Sequence, residues 1–201
     1  MATAARWVAA GVALTLGACA SHRYSTLPDL GTSYAERSGI LVRMDAWQVK
    51  GRIGVRTPDD GFSGALVWRQ DGRRVDANLH GPLGVGAIQL SGTTERLELA
   101  TSDGERVDLV DPERALMRRY GWTVPVDSFR YWLLGIADPA GEATLDIDEH
   151  GRLRGLTQFG WTVDFRDYQN VAADELPRRL KAKNRDLTLN VSIKDWRIPF
   201  D

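Results

Sequence analysis

Apolar and polar residues alternate along most of this chain, and the alternation first becomes regular at Trp47. From there to Arg56 the apolar positions are Trp47, Val49, Ile53 and Val55. A period of two places alternate side chains of a strand on a core face and on a solvent face. The pattern therefore predicts a long, half-buried strand whose intervening residues, Arg52 among them, point outward.

The same alternation recurs between turn sequences such as Asp71-Gly72 and predicts ten further strands. They lie near residues 61–70, 73–80, 86–92, 95–100, 105–110, 143–148, 151–158, 161–167, 178–183 and 187–196. The short connections require antiparallel neighbours. A meander of eleven strands does not stay flat, and it usually curls until its apolar faces line an interior.

Three stretches carry helical signals instead. A short helix is predicted over Tyr34–Arg43, and a second follows Asp111-Pro112-Glu113, which supplies an N-cap, a first-position proline and an acidic first turn. A third, over 126–134, has an apolar face formed by Phe129, Trp132 and Leu133. The predicted fold class is mainly β with helices: an unclosed, curved antiparallel barrel of about eleven strands, covered or plugged by the short helices.

The segment before residue 34 has a different character. Arg6 and the apolar run Val8–Leu16 have the layout of an export signal, and small residues precede Cys19, the only cysteine. Leu16-Gly17-Ala18-Cys19 resembles the lipobox of bacterial lipoproteins, in which the thiol is acylated and the leader removed; the alternative is a buried structural cysteine behind a signal peptide. We predict a signal peptide over 1–18, a lipidated N-terminus and flexible tether over 19–33, and one domain over 34–201.

Composition and motifs argue against several classes of partner and chemistry. The chain has 26 basic and 27 acidic residues and no block of like charge, which argues against nucleic acid and against a polybasic membrane patch. Ser63 and His80 lack the Gly-x-Ser-x-Gly spacing of a nucleophile elbow. Asp146-x-Asp148-x-x-Gly151 begins like a calcium loop, but its twelfth position is Thr157 instead of glutamate, which favours a hairpin turn. We expect neither an enzyme nor a bound metal or other cofactor.

Several short motifs recur in the same order in a known family. They are Trp47-x-x-x-Gly51-Arg52, Trp68-x-Gln70, Gly81-Pro82-Leu83-Gly84, Pro125-Val126, Trp132-Leu133-Leu134-Gly135, Gly151-Arg152-Leu153, Gly160-Trp161, Leu176-Pro177 and Trp196. Together with the lipobox, their order and spacing over residues 35–198 resemble the LolB family of outer-membrane lipoproteins. That family's fold is an unclosed eleven-stranded antiparallel barrel covered by helices, which agrees with the strand count above.

The resemblance implies a receptor that accepts lipoproteins from a LolA-like periplasmic carrier and releases their acyl chains into the inner leaflet of the outer membrane. It implies a monomer, lipid-anchored on the periplasmic face, with lipoprotein cargo and outer-membrane lipid as partners. Ala20 agrees with this location, because an aspartate after the lipidated cysteine retains many lipoproteins in the inner membrane. The alternative class is a non-enzymatic structural or assembly-scaffold lipoprotein of the outer membrane, which would pack its tryptophans solidly and keep no apolar cavity.

Two groups of site residues follow from the receptor interpretation. The candidates for the wall of an acyl-chain cavity, each of which could instead be ordinary core, are Trp47, Val49, Ile53, Leu66, Trp68, Leu79, Phe129, Trp132, Leu133 and Trp161. The loop Gly81-Pro82-Leu83-Gly84 suits a type I turn with proline second, which leaves Leu83 either at the tip or folded back on the core. The resemblance favours an exposed Leu83 that enters the membrane, with Pro82 and Gly84 beside it.

Overall fold

A computed structural model describes residues 31–81, 86–93, 95–120, 123–171 and 174–198, with 119 and 120 described for their backbone alone. The helices within these residues are α1 (Tyr34–Leu41), α2 (Pro112–Tyr120) and α3 (Val126–Leu134). The strands are β1 (Ala46–Arg56), β2 (Gly61–Asp71), β3 (Arg74–His80), β4 (Ile88–Thr93), β5 (Arg96–Thr101), β6 (Arg106–Val110), β7 (Thr144–Ile147), β8 (Leu153–Gln158), β9 (Trp161–Val171), β10 (Asp174–Lys183) and β11 (Thr188–Arg197). The eleven predicted strands and their order with the helices are confirmed.

All the strands form one antiparallel sheet in the order β6-β5-β4-β3-β2-β1-β11-β10-β9-β8-β7. Neighbours in the sheet are consecutive in the chain except for β1 and β11, which pair at the centre. The sheet curves without closing and ends at β6 and β7, so the predicted unclosed barrel is confirmed. The chain that connects these two edges forms α2 and α3, whose apolar side chains pack on the concave face.

The central pair of strands bends at Gly51. The register of β1 against β11 shifts between Lys50 and Gly51, as at a β-bulge. A Cβ atom at Gly51 would lie 2.1 Å from the carbonyl oxygen of Ser192, so the two backbones approach too closely for any other residue. The bulge increases the local twist where the two halves of the barrel join.

The β9–β10 hairpin is longer than the sequence predicted. β9 continues to Val171 and β10 starts at Asp174, whereas the alternation predicted strands over 161–167 and 178–183. Tyr168 pairs with Pro177, and the register shifts between Pro177 and Arg179. This irregularity interrupts the period of two on which the prediction relied, although the backbone pairing continues through it.

α1 is attached to the start of β10 by a buried arginine. Ser33 and Glu36 form a capping box at the N-terminus of the helix. One turn after Ser33, the Arg37 guanidinium donates to the Asp174 carboxylate at 2.7 Å and to the backbone carbonyl of Glu175 at 2.7 Å. Charge-assisted hydrogen bonds of this kind are stronger than neutral ones, so they fix where α1 lies against the sheet.

Aromatic rings from helix and sheet form the centre of the core. Ring centroids lie 5.4 Å apart for Trp68 and Phe129, 6.5 Å for Phe129 and Trp132, and 5.8 Å for Trp132 and Trp161. Because Trp68 belongs to β2 and Trp161 to β9, α3 joins the two halves of the sheet through Phe129 and Trp132. The apolar face predicted for α3 is confirmed, since Phe129, Trp132 and Leu133 are all buried.

Candidate functional site: an apolar cavity

A cavity of about 190 Å³ lies between the sheet and the helices. The strands β1 to β5 and β11 form its wall, and α2, α3 and the segment between them form its cover. The lining residues are Ile53, Val55, Phe62, Leu66, Trp68, Ala77, Leu79, Ile88, Leu90, Leu97, Leu99, Leu116, Val124, Val126, Phe129 and Leu189. All of these residues are apolar.

The wall follows from the alternation along each strand. Residues two apart in a strand, such as Leu66 and Trp68 or Ala77 and Leu79, point to the same face. Trp68 carries the only polar hydrogen among the lining side chains, and its indole N–H donates to Gln70 Oε1 at 3.1 Å. The described lining therefore offers a ligand dispersion contacts and exclusion of water without side-chain hydrogen bonds.

Half of the ten predicted wall residues line the cavity. These are Ile53, Leu66, Trp68, Leu79 and Phe129. The other five, Trp47, Val49, Trp132, Leu133 and Trp161, are buried in the packed core beside it. Trp47, for example, packs on Trp196 with ring centroids 5.6 Å apart. Contact with an acyl chain stays a prediction for all ten.

The cavity also uses residues that were not among the ten predicted wall residues. Val55, Phe62 and Ala77 occupy inward positions of strands that the alternation had predicted, so strand parity alone could have identified them. Leu189 and Leu116 needed the tertiary structure. Leu189 reaches the cavity because β11 pairs with β1, and Leu116 reaches it because α2 folds back over the sheet.

A buried polar network holds α3 beside the cavity. Gln158 Oε1 accepts from the backbone N–H of Asp138 at 3.0 Å and from Trp132 Nε1 at 3.4 Å. Its Nε2 donates to the carbonyl oxygens of Asp138 and Gly141 at 2.8 and 2.9 Å, and the Ser128 hydroxyl donates to Asp138 Oδ2 at 2.8 Å. Moving α3 would leave these buried groups unpaired, so this helix is a fixed part of the cover.

α2 is the less firmly packed part of the cover. Among its residues with described side chains, only Pro112 and Leu116 are buried, and Met117 is 44% exposed. The pKa of Glu113, in the first turn, is raised because partial desolvation and the nearby charges of Asp127 and Asp111 disfavour its ionised form. Part of the Glu113 side chain still reaches solvent. Little apolar burial therefore opposes movement of α2 away from the sheet.

The cavity wall extends to the strand ends that flank the predicted membrane loop. Leu79, next to last in β3, and Ile88, first in β4, both line the cavity. Pro82, Leu83 and Gly84 fall between these strands and lie outside the described residues, as does Cys19. Their roles stay predictions.

The residues considered for other chemistry have structural explanations. Ser63 and His80 are exposed on strands β2 and β3. Asp148 accepts from the backbone N–H groups of His150 and Arg152 at 2.9 Å each, and Arg152 Nε donates to it at 2.8 Å, so it caps the β7–β8 turn. No group of His, Cys, Asp or Glu side chains within the described residues is arranged to hold a metal ion. None of the helices in the described segments is long and apolar enough to cross a membrane.

An unclosed antiparallel barrel with an apolar cavity under helices defines a class of proteins that can enclose apolar ligands. Residues 45–196 match the family described as outer membrane lipoprotein LolB, and the chain belongs to this family.

Two relatives named outer-membrane lipoprotein LolB cover almost the whole chain. The protein of Alkalilimnicola ehrlichii is 39% identical over 194 residues, which is 94% of this chain and 94% of that protein. The protein of Stutzerimonas stutzeri is 33% identical over 188 residues, covering 92% and 91%.

Solved structures with little sequence identity share the fold. A domain from Vibrio parahaemolyticus, assigned to an outer membrane lipoprotein-sorting protein, has a TM-score of 0.52 at 10% identity and covers 83% of this chain and 91% of that one. A DUF1329 family protein from Desulfovibrio piger has a TM-score of 0.52 at 6% identity, covering 82% and 90%. At such low identity these similarities concern the fold alone.

Proposed function

We propose that this protein is an outer-membrane receptor that accepts lipoproteins from a LolA-like periplasmic carrier and inserts them into the inner leaflet of the outer membrane. The observation that carries the proposal is the cavity, whose lining residues are all apolar. Each methylene buried from water contributes roughly 0.8 kcal/mol, so the acyl chains of a lipoprotein need apolar cover throughout their transfer. Binding and release require no covalent chemistry, so the proposed function is not enzymatic.

The cavity has to enlarge before it can hold acyl chains. An engineered apolar cavity of about 150 Å³ in another protein accepts benzene, and the present one, at about 190 Å³, is only slightly larger. It is therefore far too small for the several acyl chains of a lipoprotein. Because α3 is fixed by the Gln158 network and α2 buries little, we assign the opening movement to α2. Its Leu116 would then leave the cavity and make room for cargo.

The N-terminal segment supplies the membrane anchor in this proposal. Residues 1–18 act as a signal peptide, Cys19 carries the acyl groups, and the segment that follows it tethers the domain, which starts at residue 34. More than one acyl chain is needed for stable anchoring, which agrees with the multiple acylation that a lipobox directs. Ala20, in place of aspartate, directs the protein to the outer membrane, where the domain faces the periplasm.

Delivery into the bilayer is assigned to the loop between β3 and β4. Leu83, flanked by Pro82 and Gly84, enters the lipid interface, where full burial of its side chain contributes about 1.5–3 kcal/mol. The position of Leu79 and Ile88 on the cavity wall supports this role, since they come from the two strands that carry the loop. Acyl chains that leave the cavity near these residues would meet the bilayer at the same place.

Acceptance of cargo is tested directly by transfer in solution. The purified carrier, loaded with a labelled lipoprotein, is mixed with the mature chain, and we expect the label to move to this protein. One-way transfer requires tighter binding here than on the carrier, and about 1.4 kcal/mol gives a tenfold bias. If most of the label stays on the carrier at equal concentrations, one-way transfer to this protein is excluded, and a scaffold role becomes the better explanation.

A further inference from the structure

The outer face of the sheet carries a concentration of positive charge. Two adjoining grooves cross β1, β2, β9, β10 and β11 on the side opposite the helices, and they share Arg52 and Ser192. No acidic residue lines either groove. Seven cationic residues do: Lys50, Arg52, Arg166, Arg178, Arg179, Lys181 and Lys194. We refer to these seven residues as the basic face.

Three acidic residues lie beside the basic face: Asp195 is paired with Lys50, Asp164 is paired with Lys181, and Asp167 lies near two arginines. They are fewer than the seven cations, most of which form no salt bridge within the described residues. Arg52 and Lys194 are exposed and have no salt bridge within the described residues. At the border of the basic face, Asp167 Oδ2 lies 3.6 Å from Arg178 Nη1 and 4.0 Å from Arg179 Nε. Such exposed pairs are weak, and one carboxylate cannot balance two guanidinium groups. The basic face therefore keeps a net positive charge, although the whole chain has a formal net charge of −1.

Folding assembles the basic face from distant parts of the chain. The central pairing of β1 with β11 brings Arg52 opposite Ser192, and β10 lies on the other side of β11. The irregularity between Pro177 and Arg179 makes Arg178 and Arg179 both exposed, which a regular strand would not allow. The even charge distribution of the sequence, which argued against a polybasic patch, thus gave no sign of it.

The chemistry of the basic face fits a surface of anionic phospholipids. No aromatic residue lines either groove, whereas protein interfaces depend on aromatic anchors and single-stranded nucleic acid on aromatic stacking. Clusters of lysine and arginine without such anchors are typical of peripheral contact with anionic lipid headgroups. We propose that the basic face lies on the anionic phospholipids of the membrane to which the protein is anchored.

The position of the basic face agrees with membrane contact at the β3–β4 loop. Ala65 lines one groove and is paired with His80, the last residue of β3. The border of the basic face therefore adjoins the strand end from which the loop starts. The inference rests on the proposed anchoring and delivery function, and it adds that electrostatic attraction orients the domain on the bilayer.

The test compares two variants with the same loss of charge. The protein used is the mature chain, residues 19–201, with Cys19→Ala to remove the anchor; it contains every described strand and helix and their common core. In the test variant, Arg52→Gln and Lys194→Gln neutralise the basic face. In the matched control, Arg43→Gln and Arg185→Gln remove two exposed charges that lie outside both grooves. Sedimentation with vesicles of phosphatidylcholine, alone or mixed with phosphatidylglycerol, measures binding.

We expect the unsubstituted protein to prefer the vesicles that contain phosphatidylglycerol, and added salt to weaken this preference. The test variant should lose about thirtyfold in affinity for them, and the control only a small fraction of that. Binding of a fluorescent fatty acid should be the same in all three proteins, because the substitutions lie on the opposite side of the sheet from the cavity.

Two results would overturn the basic-face proposal while leaving the receptor function intact. One is an equal loss of vesicle binding in both variants. The other is no loss in either variant; if the test variant then also loses binding to the carrier, the basic face contacts an acidic protein surface instead. Conversely, charge-dependent vesicle binding by a protein that takes up no fatty acid would contradict the receptor function and not the membrane contact.

Discussion

Filling the cavity separates a ligand site from a packing defect, and Ala77→Leu is the substitution best placed to do it. Ala77 lies on β3 between Trp68 of β2 and Leu90 of β4, is 1% exposed, and lines the cavity. The leucine adds three carbon atoms at a point where the wall faces empty space.

The magnitudes follow from the size of the cavity. An unfilled cavity costs about 24 cal/mol per Å³, so complete filling of the 190 Å³ would contribute at most about 4–5 kcal/mol. Three buried carbons contribute about 2.4 kcal/mol, and the ordered leucine side chain costs about 0.5–1 kcal/mol in entropy. We expect Ala77→Leu to stabilise the fold by about 1–2 kcal/mol. An acyl chain that loses the same space should bind about fiftyfold more weakly.

The assay pairs chemical denaturation with titration of a fluorescent fatty acid. Ala65→Leu is the matched control, because it makes the same change on the exposed outer face of β2. It should leave both the free energy of unfolding and the fatty-acid affinity nearly unchanged. Leu90→Phe provides a second filling variant in case leucine at position 77 strains its neighbours.

Unchanged fatty-acid affinity in a stabilised Ala77→Leu protein would refute the reasoning. The cavity would then be a packing defect that acyl chains do not enter, and the site would have to be sought elsewhere. Destabilisation by both filling variants would show instead that the cavity is smaller in solution than the structure indicates.

Three further predictions concern the loop, the anchor and a stabilising ion pair. Leu83→Glu should leave folding and acceptance of cargo nearly unchanged but severely slow delivery into liposomes, with Leu83→Ile as control; delivery at the normal rate would exclude Leu83 as the membrane contact. Cys19→Ala should move the protein from the outer membrane to the soluble periplasmic fraction with its fold intact, whereas a native protein found mainly in the inner membrane would contradict the assigned location. Asp148→Asn should destabilise the fold by about 1–2 kcal/mol at neutral pH, because it weakens the bonds to Arg152. Burial alone would raise the pKa of Asp148, but the hydrogen bonds from Arg152 and His150 lower it. The stabilisation is therefore present above the usual carboxyl pKa of about 4 and disappears as the pH falls below it. If denaturation gave the same difference in unfolding free energy between the two proteins at every pH, this explanation would be wrong.

The sequence by itself determined the elements and their order. The period of two from Trp47 onward identified every strand of the sheet, because a half-buried strand must alternate apolar and polar residues. The proline and acidic residue after Asp111, and the stripe of Phe129, Trp132 and Leu133, identified the helices of the cover. The leader and Cys19 raised the hypothesis of a lipid anchor by their local order alone.

Only the tertiary structure decided which inward side chains face empty space. Alternation shows that Trp68 and Trp161 both point inward, but it does not show what each one meets. Trp132 of α3 fills the space beside Trp161, whereas the part of the sheet beneath α2 is left partly unfilled. The same limit applies to charge: Arg52 and Lys194 lie far apart in the chain, and they line one groove because the first and last strands pair at the centre of the sheet. Contacts between distant segments depend on how the elements pack against each other, and a local pattern does not record that.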